Sequence, residues 1–258
     1  MITINPETYK LNGNGTTTAP NWICIDIETT DAPQEIIEKR VSDFENNFTG
    51  KGNTKDKAKI EAQRQEGVER IRNKASLLDS SPIICIVAKT PQHAIVFNGM
   101  DANTYDIPGW LCVPAEDEKN MLSGFRGWLE MVATPETVFV GHNIRGFDLP
   151  KIRHAFIRNS LNLPECLTPG VGISAETADT MHLFKAFSME NRDNLFVSLD
   201  TVAKTLGIPT SKMGISGADV PVLHKAGKFK EILTYCALDC AVTARAFELM
   251  TGQVHGLL

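Results

Sequence analysis

Short apolar runs bounded by turn residues mark strands along this chain, and apolar residues spaced three and four apart mark helices. The first run, Trp22-Ile23-Cys24-Ile25, continues through Asp26 and Ile27 and predicts a strand over about 22–28. The stretch "SSPIICIVAKTPQHAIVFNG" predicts a hairpin, with strands at 83–90 and 93–98 around a turn at Pro91-Gln92. In 114–133, Met121, Leu122, Phe125, Leu129 and Val132 fall at helical spacing behind an acidic first turn, which predicts an amphipathic helix. "TVFVGHN" (137–143) predicts a buried strand ending in polar residues, and 148–161 a helix with a proline in its first turn. A short strand at roughly 175–181 follows. Helices are predicted at 198–209, with Ser198 as N-cap and Gly207 and Pro209 as the stop, and at 228–250.

Between the first and second strands the pattern changes. Residues 35–78 carry ten Lys/Arg, eight Asp/Glu and few large apolar side chains, which predicts two polar helices joined by a turn near Gly50 and Gly52. This arm reads as a solvated helical hairpin, a clamp over a ligand or a docking surface, and its near-balanced charge favours the first. Residues 1–20, rich in Asn, Thr and Gly, predict a flexible lead-in. Sequential antiparallel strands followed by strand–helix alternation predict one α/β domain over 1–258. Its core is a mixed five-stranded sheet flanked by helices, with the helical arm inserted between strands 1 and 2.

Composition narrows the picture a little. With 42% hydrophobic and 22% charged residues, the 258-residue chain has an ordinary globular make-up, large enough to need no disulfide staples. It shows no apolar run of membrane-spanning length and a polar start rather than a signal peptide. Six cysteines sit mostly in apolar runs and lack C-x2-C pairs, which predicts reduced, buried thiols in a cytoplasmic protein. Cys236 and Cys240 share one face of a predicted helix, and a metal-binding pair there is the minor reading. A net charge of −5 argues against a broad basic surface for coating duplex DNA, though not against an enzyme gripping a few nucleotides.

The candidate chemistry lies at the ends of these elements. Asp26 and Glu28 are i and i+2 on a strand and share a face. Two carboxylates placed so repel each other; they mark either a strand end running into solvent or a metal site. In "GHNIRGFD" (141–148), Asp148 opens a helix, where an acid also serves the helix dipole. In "YCALD" (235–239), Tyr235 and Asp239 are i and i+4 on one helix face, among apolar neighbours that leave Asp239 in need of a partner or a metal.

"IDIET", "HNIRGFD" and "YCALD", in that order, resemble the three motifs of the DEDD superfamily of 3′–5′ exonucleases, which has a ribonuclease H-like fold. The Y-x3-D spacing resembles the tyrosine subclass; the histidine subclass would place His where this chain has Thr234. The stretch "SLDTVAKTLGIPTSKMGISGADV" is similar to stand-alone relatives of the exonuclease domain of family-B DNA polymerases. The resemblance covers most of residues 22–250 and leaves out the lead-in and the arm.

The resemblance implies that Asp26, Glu28, Asp148 and Asp239 bind two divalent cations, Mg²⁺ or Mn²⁺, with Asp26 shared between them. It implies that Tyr235 positions the attacking water. Thr29, Thr30, Asn143, Phe147, Arg153 and Lys212 are candidate substrate contacts, each with an ordinary structural alternative. His142 is expected to be structural, as are Asp179 and Asp200. The expected activity is metal-dependent 3′–5′ hydrolysis of single-stranded DNA or frayed 3′ ends, releasing nucleoside 5′-monophosphates. The alternatives are an exoribonuclease and a non-catalytic nucleic-acid-binding subunit. A polymerase domain does not fit in 258 residues, so any proofreading is expected in trans with a polymerase or repair partner.

Overall fold

The computed structural model describes residues 22–50, 55–168, 176–210 and 214–252; the expected lead-in at 1–20 lies outside them. β1 (Trp22–Thr29) is the strand about which the fold is arranged. It pairs antiparallel with β2 (Ile83–Lys89) and in parallel with β5 (Val138–Gly141). β3 (Ala94–Asn98) continues the antiparallel hairpin from β2, β4 (Leu111–Pro114) runs parallel to β3, and β6 (Glu176–Asp179) runs parallel to β5. The order across the sheet is β4-β3-β2-β1-β5-β6.

The sheet thus has six strands, not the five the sequence predicts. The extra one, β4, has only four residues, begins at an exposed Leu111 and ends at Pro114. Too little alternation survives there to reveal a strand, and only an edge position tolerates its proline.

The period-2 geometry of β1 divides the core. Ile23, Ile25 and Ile27 face one side, where α3 (Glu118–Val132) and α4 (Asp148–Arg158) supply Phe125, Trp128, Leu149, Ile152 and Phe156. Trp22 and Cys24 face the other side, against Cys236, Ala237, Cys240 and Ala244 of α8 (Phe229–Thr251). Helices on both faces account for a β1 whose residues are nearly all buried. α5 (Thr180–Phe187) and α6 (Leu199–Leu206) add Met181, Phe184 and Val202 to a smaller cluster against Ala246 of α8, and α7 (Val220–Lys225) packs beside it. The strand predicted over 175–181 ends at Asp179, whose side chain accepts from the Met181 N–H at 3.1 Å and caps α5.

The arm is a helical hairpin of α1 (Gln34–Asn47) and α2 (Lys57–Asn73). Phe44 lies against Gly67, and Arg72 pairs with Glu38 at 3.2 Å. At its root Ala32, Ile37 and Ala75 form a small apolar cluster, and the Thr29 hydroxyl donates to the Ser76 carbonyl at 2.8 Å. Apart from that root its faces are largely exposed. Among the described residues no helix is long and apolar enough to cross a membrane.

Candidate active site

Pairing between β1 and β5 stops at Cys24↔Val140, while β1 runs on to Thr29. The N-terminus of α4 enters the space this leaves. Asp148 is the first residue of α4 and is 3% exposed. Its carboxylate accepts from its own backbone N–H and from that of Ile27 in β1. The turn that delivers it is closed by Asn143, whose φ of 61° is left-handed and whose carbonyl accepts from the Gly146 and Phe147 N–H groups. Asp179 Oδ1 accepts from the Asn143 N–H at 3.0 Å and holds the turn to the end of β6. A Cβ on Gly146 would lie 2.5 Å from Asn143 Oδ1, so any other residue there would make the Asn143 side chain shift.

From the other face, α8 is fixed to β1 by two reciprocal contacts. The Cys24 thiol donates to the Cys240 carbonyl and the Cys240 thiol to the Cys24 carbonyl, each at 3.6 Å. One turn earlier, the Cys236 thiol donates to Asp26 Oδ2 at 3.2 Å. This register sets Asp239 over the end of β1, with the Tyr235 hydroxyl donating to its carboxylate. Asp26, Glu28, Asp148 and Asp239, from three elements, thus stand within electrostatic reach of one another. Cys236 is a neighbour that the sequence offers only as half of a Cys236–Cys240 pair, not as a partner of the acids. Its i, i+3 spacing to Asp239 was the available signal. The minor reading of a metal pair with Cys240 does not describe it, since the two thiols point at different partners.

The electrostatics follow from burial and like charge. Burial, then Asp148, Asp239 and Glu28, raise the Asp26 carboxyl well above the ordinary range. Burial, then Cys85, Asp239 and Asp148, do the same to Glu28, and burial pushes Asp148 up to about 7. Among the described residues no lysine or arginine forms an ion pair with Asp26, Glu28 or Asp148. Buried carboxylates without a cationic side chain are the donor set that divalent cations satisfy, and carboxylate oxygen suits Mg²⁺ and Mn²⁺. The residues fit such ions. Burial and the neighbouring acids hold the Tyr235 hydroxyl far above its usual pKa, so it stays protonated.

Asn143 and Phe147 lie on the turn before Asp148, and Phe147 is half-buried against the core. Thr29 is 5% exposed and its hydroxyl is engaged with the arm, while the Thr30 hydroxyl lies 3.4 Å from His224 Nδ1. Arg153 donates through Nε to the Leu167 carbonyl at 2.7 Å. Lys212 lies outside the described residues. Both ring nitrogens of His142 are engaged, with Thr180 Oγ1 at 3.1 Å and the Val197 carbonyl at 2.8 Å, and burial lowers its pKa.

A family described as "Predicted 3'-5' exonuclease related to the exonuclease domain of PolB" matches residues 92–255. The match spans the elements that carry Asp148, Tyr235 and Asp239; β1, with Asp26 and Glu28, precedes it. No curated protein matches the chain. With well over half of its residues inside the match, and with a mixed sheet flanked by helices as its fold, the chain belongs to this family of predicted 3′–5′ exonucleases related to the exonuclease domain of PolB.

Proposed function

We propose that the protein shortens single-stranded DNA, or frayed duplex ends, from the 3′ terminus and releases nucleoside 5′-monophosphates. In this reading it is a tyrosine-subclass DEDD enzyme working with two divalent cations. The observation that carries the reading is the convergence of four carboxylates, uncompensated at Asp26, Glu28 and Asp148, with a hydroxyl hydrogen-bonded to the fourth.

Asp26, Glu28, Asp148 and Asp239 would hold Mg²⁺ or Mn²⁺. Asp26 is the natural shared ligand, because its charge is felt together with all three of the others. Two such ions supply positive charge to the attacking and leaving oxygens of a phosphodiester. Tyr235 keeps its proton, so it serves as a donor that orients the attacking water, not as its base. Asn143 and Phe147 lie on the turn that ends in Asp148 and would meet the terminal nucleotide in this reading. Thr29 ends β1 and Thr30 follows it, and they stay candidate contacts to the 3′ end although the Thr30 N–H is engaged by the Pro82 carbonyl.

Single strands suit an acidic protein that grips a few nucleotides better than a duplex that needs a basic surface. The test uses DNA and RNA oligonucleotides of one sequence, labelled at the 5′ end, with Mg²⁺ or Mn²⁺, each with a 3′-blocked control. DNA is expected to shorten faster than RNA and blocked strands to persist. Faster loss of RNA would assign an exoribonuclease, and no cleavage of either would leave a nucleic-acid-binding subunit.

A further inference from the structure

We propose that Cys236 is itself a ligand of the acidic site, so that the position formed with Asp26 and Glu28 takes a thiophilic divalent cation of the Zn²⁺ class more tightly than Mg²⁺. The inference rests on the reading that the site holds divalent cations and adds a donor to it.

Three observations carry it. The ligand atoms of Asp26, Glu28 and Cys236 all lie within 4.8 Å of one another. Zinc held by one sulfur at about 2.3 Å and oxygens at about 2.1 Å spaces its ligands by roughly 3.5 Å, so small side-chain movements close the site. Second, Cys236 already points inward, its thiol on Asp26 Oδ2 at 3.2 Å, and the backbone that carries it is fixed to β1 by the Cys24–Cys240 contacts. Third, Glu28 is 9% exposed and its carboxylate makes no hydrogen bond among the described residues, although it faces the same space. A buried carboxylate with no donor is a group waiting for a ligand.

On ligation the S–H bond of Cys236 gives up its proton to solvent, and the sulfur lone pair is donated to the cation in place of the hydrogen bond to Asp26. Mg²⁺, which prefers oxygen and retains its waters, gains nothing from that sulfur, whereas Zn²⁺ and Cd²⁺ do.

Cd²⁺ is the probe. The full chain, metal-free and kept reduced with a phosphine, is titrated with Cd²⁺ while the ultraviolet sulfur-to-cadmium charge-transfer band is recorded. Cys236→Ser, Cys166→Ser and Asp26→Asn are run in parallel, and Mn²⁺ binding is followed by electron paramagnetic resonance. The band is expected to saturate at about one equivalent, to persist in Cys166→Ser, and to be lost in Cys236→Ser and Asp26→Asn. Cys236→Ser should weaken Cd²⁺ by more than about tenfold and leave Mn²⁺ binding in place. Should Cys236→Ser not fold, the wild-type band and its loss in Asp26→Asn decide the matter. Cd²⁺ bound without the band, or equally well by Cys236→Ser, overturns the inference. Mn²⁺ binding in that case leaves the proposed function standing, whereas binding of neither ion sinks both.

Discussion

Tyr235 and Asp148 show how burial sets the chemistry of single groups. Because Tyr235 is held far above its usual pKa, it donates a hydrogen bond across the working pH range. Tyr235→Phe is therefore predicted to lower kcat by roughly 10²-fold, with unchanged Mn²⁺ affinity and an unmoved alkaline limb of the pH–rate profile. Disappearance of that limb in the variant would show that Tyr235 titrates and acts as a base. Asp148 contributes to the pH dependence of stability, as do Asp26 and Glu28, whose carboxyls are raised too. A carboxyl whose folded pKa is raised binds its proton more tightly in the fold. Its stabilising contribution is complete below the ordinary value of 3.8 and is lost as pH rises through about 7. Metal-free protein should thus melt at progressively lower temperature across that window, and Asp148→Asn should flatten the slope. Melting curves in chelator over this range check it; an identical slope in the variant would contradict the assignment.

The elements differ in what their packing demands. In the arm, a Cβ on Gly67 would meet Phe44 Cζ at 2.2 Å, so Gly67→Val is predicted to part α2 from α1 at a cost of about 1–3 kcal/mol. Hydrogen exchange in residues 57–73 should accelerate while cleavage stays within about twofold of wild type. Loss of cleavage would instead make the arm a clamp. At the arm's root, the buried Lys151 of α4 donates to the Leu78 carbonyl and to Ser81 Oγ. Lys151→Met removes the charged donor from a Leu78 carbonyl that still accepts from Ser81, and from Ser81 Oγ, and urea denaturation should show a loss of about 1–3 kcal/mol. These contacts mark where sequence reading stops. β1, the β2–β3 hairpin, α3 and α8 were legible because each repeats its period over enough residues to separate two from 3.6. β4, α5 and α7 were not, being short and without the Ser198 cap and Gly207–Pro209 stop that marked the equally short α6. The acidic residues stood out because apolar surroundings leave few other uses for them. Cys236 did not, since a buried thiol is ordinary core and only the α8–β1 register turns it toward Asp26. The engagement of Thr29 by Ser76 and of Arg153 by Leu167 depends on tertiary partners that no local pattern announces.

Across the whole molecule, the fold gathers like charge where β1 runs beyond β5, and among the described residues Asp26, Glu28 and Asp148 have no lysine or arginine paired with them. That arrangement costs stability without ions. Asp26→Asn should therefore melt higher than wild type in chelator, yet gain little on adding Mn²⁺. Wild type should gain about 2.7 kcal/mol at a hundred times the dissociation constant, measured by calorimetry. A wild type unaffected by Mn²⁺ would mean that the acids are balanced by something else. Whether these acids catalyse removal of 3′-terminal nucleotides is decided by one gel. A 5′-labelled single-stranded DNA is incubated with Mn²⁺ and either wild type or Asp26→Asn, beside a circular strand of similar length. Wild type alone should give a ladder descending one nucleotide at a time, abolished by chelator, and leave the circle intact. A cut circle, or a ladder that survives in Asp26→Asn, would contradict it.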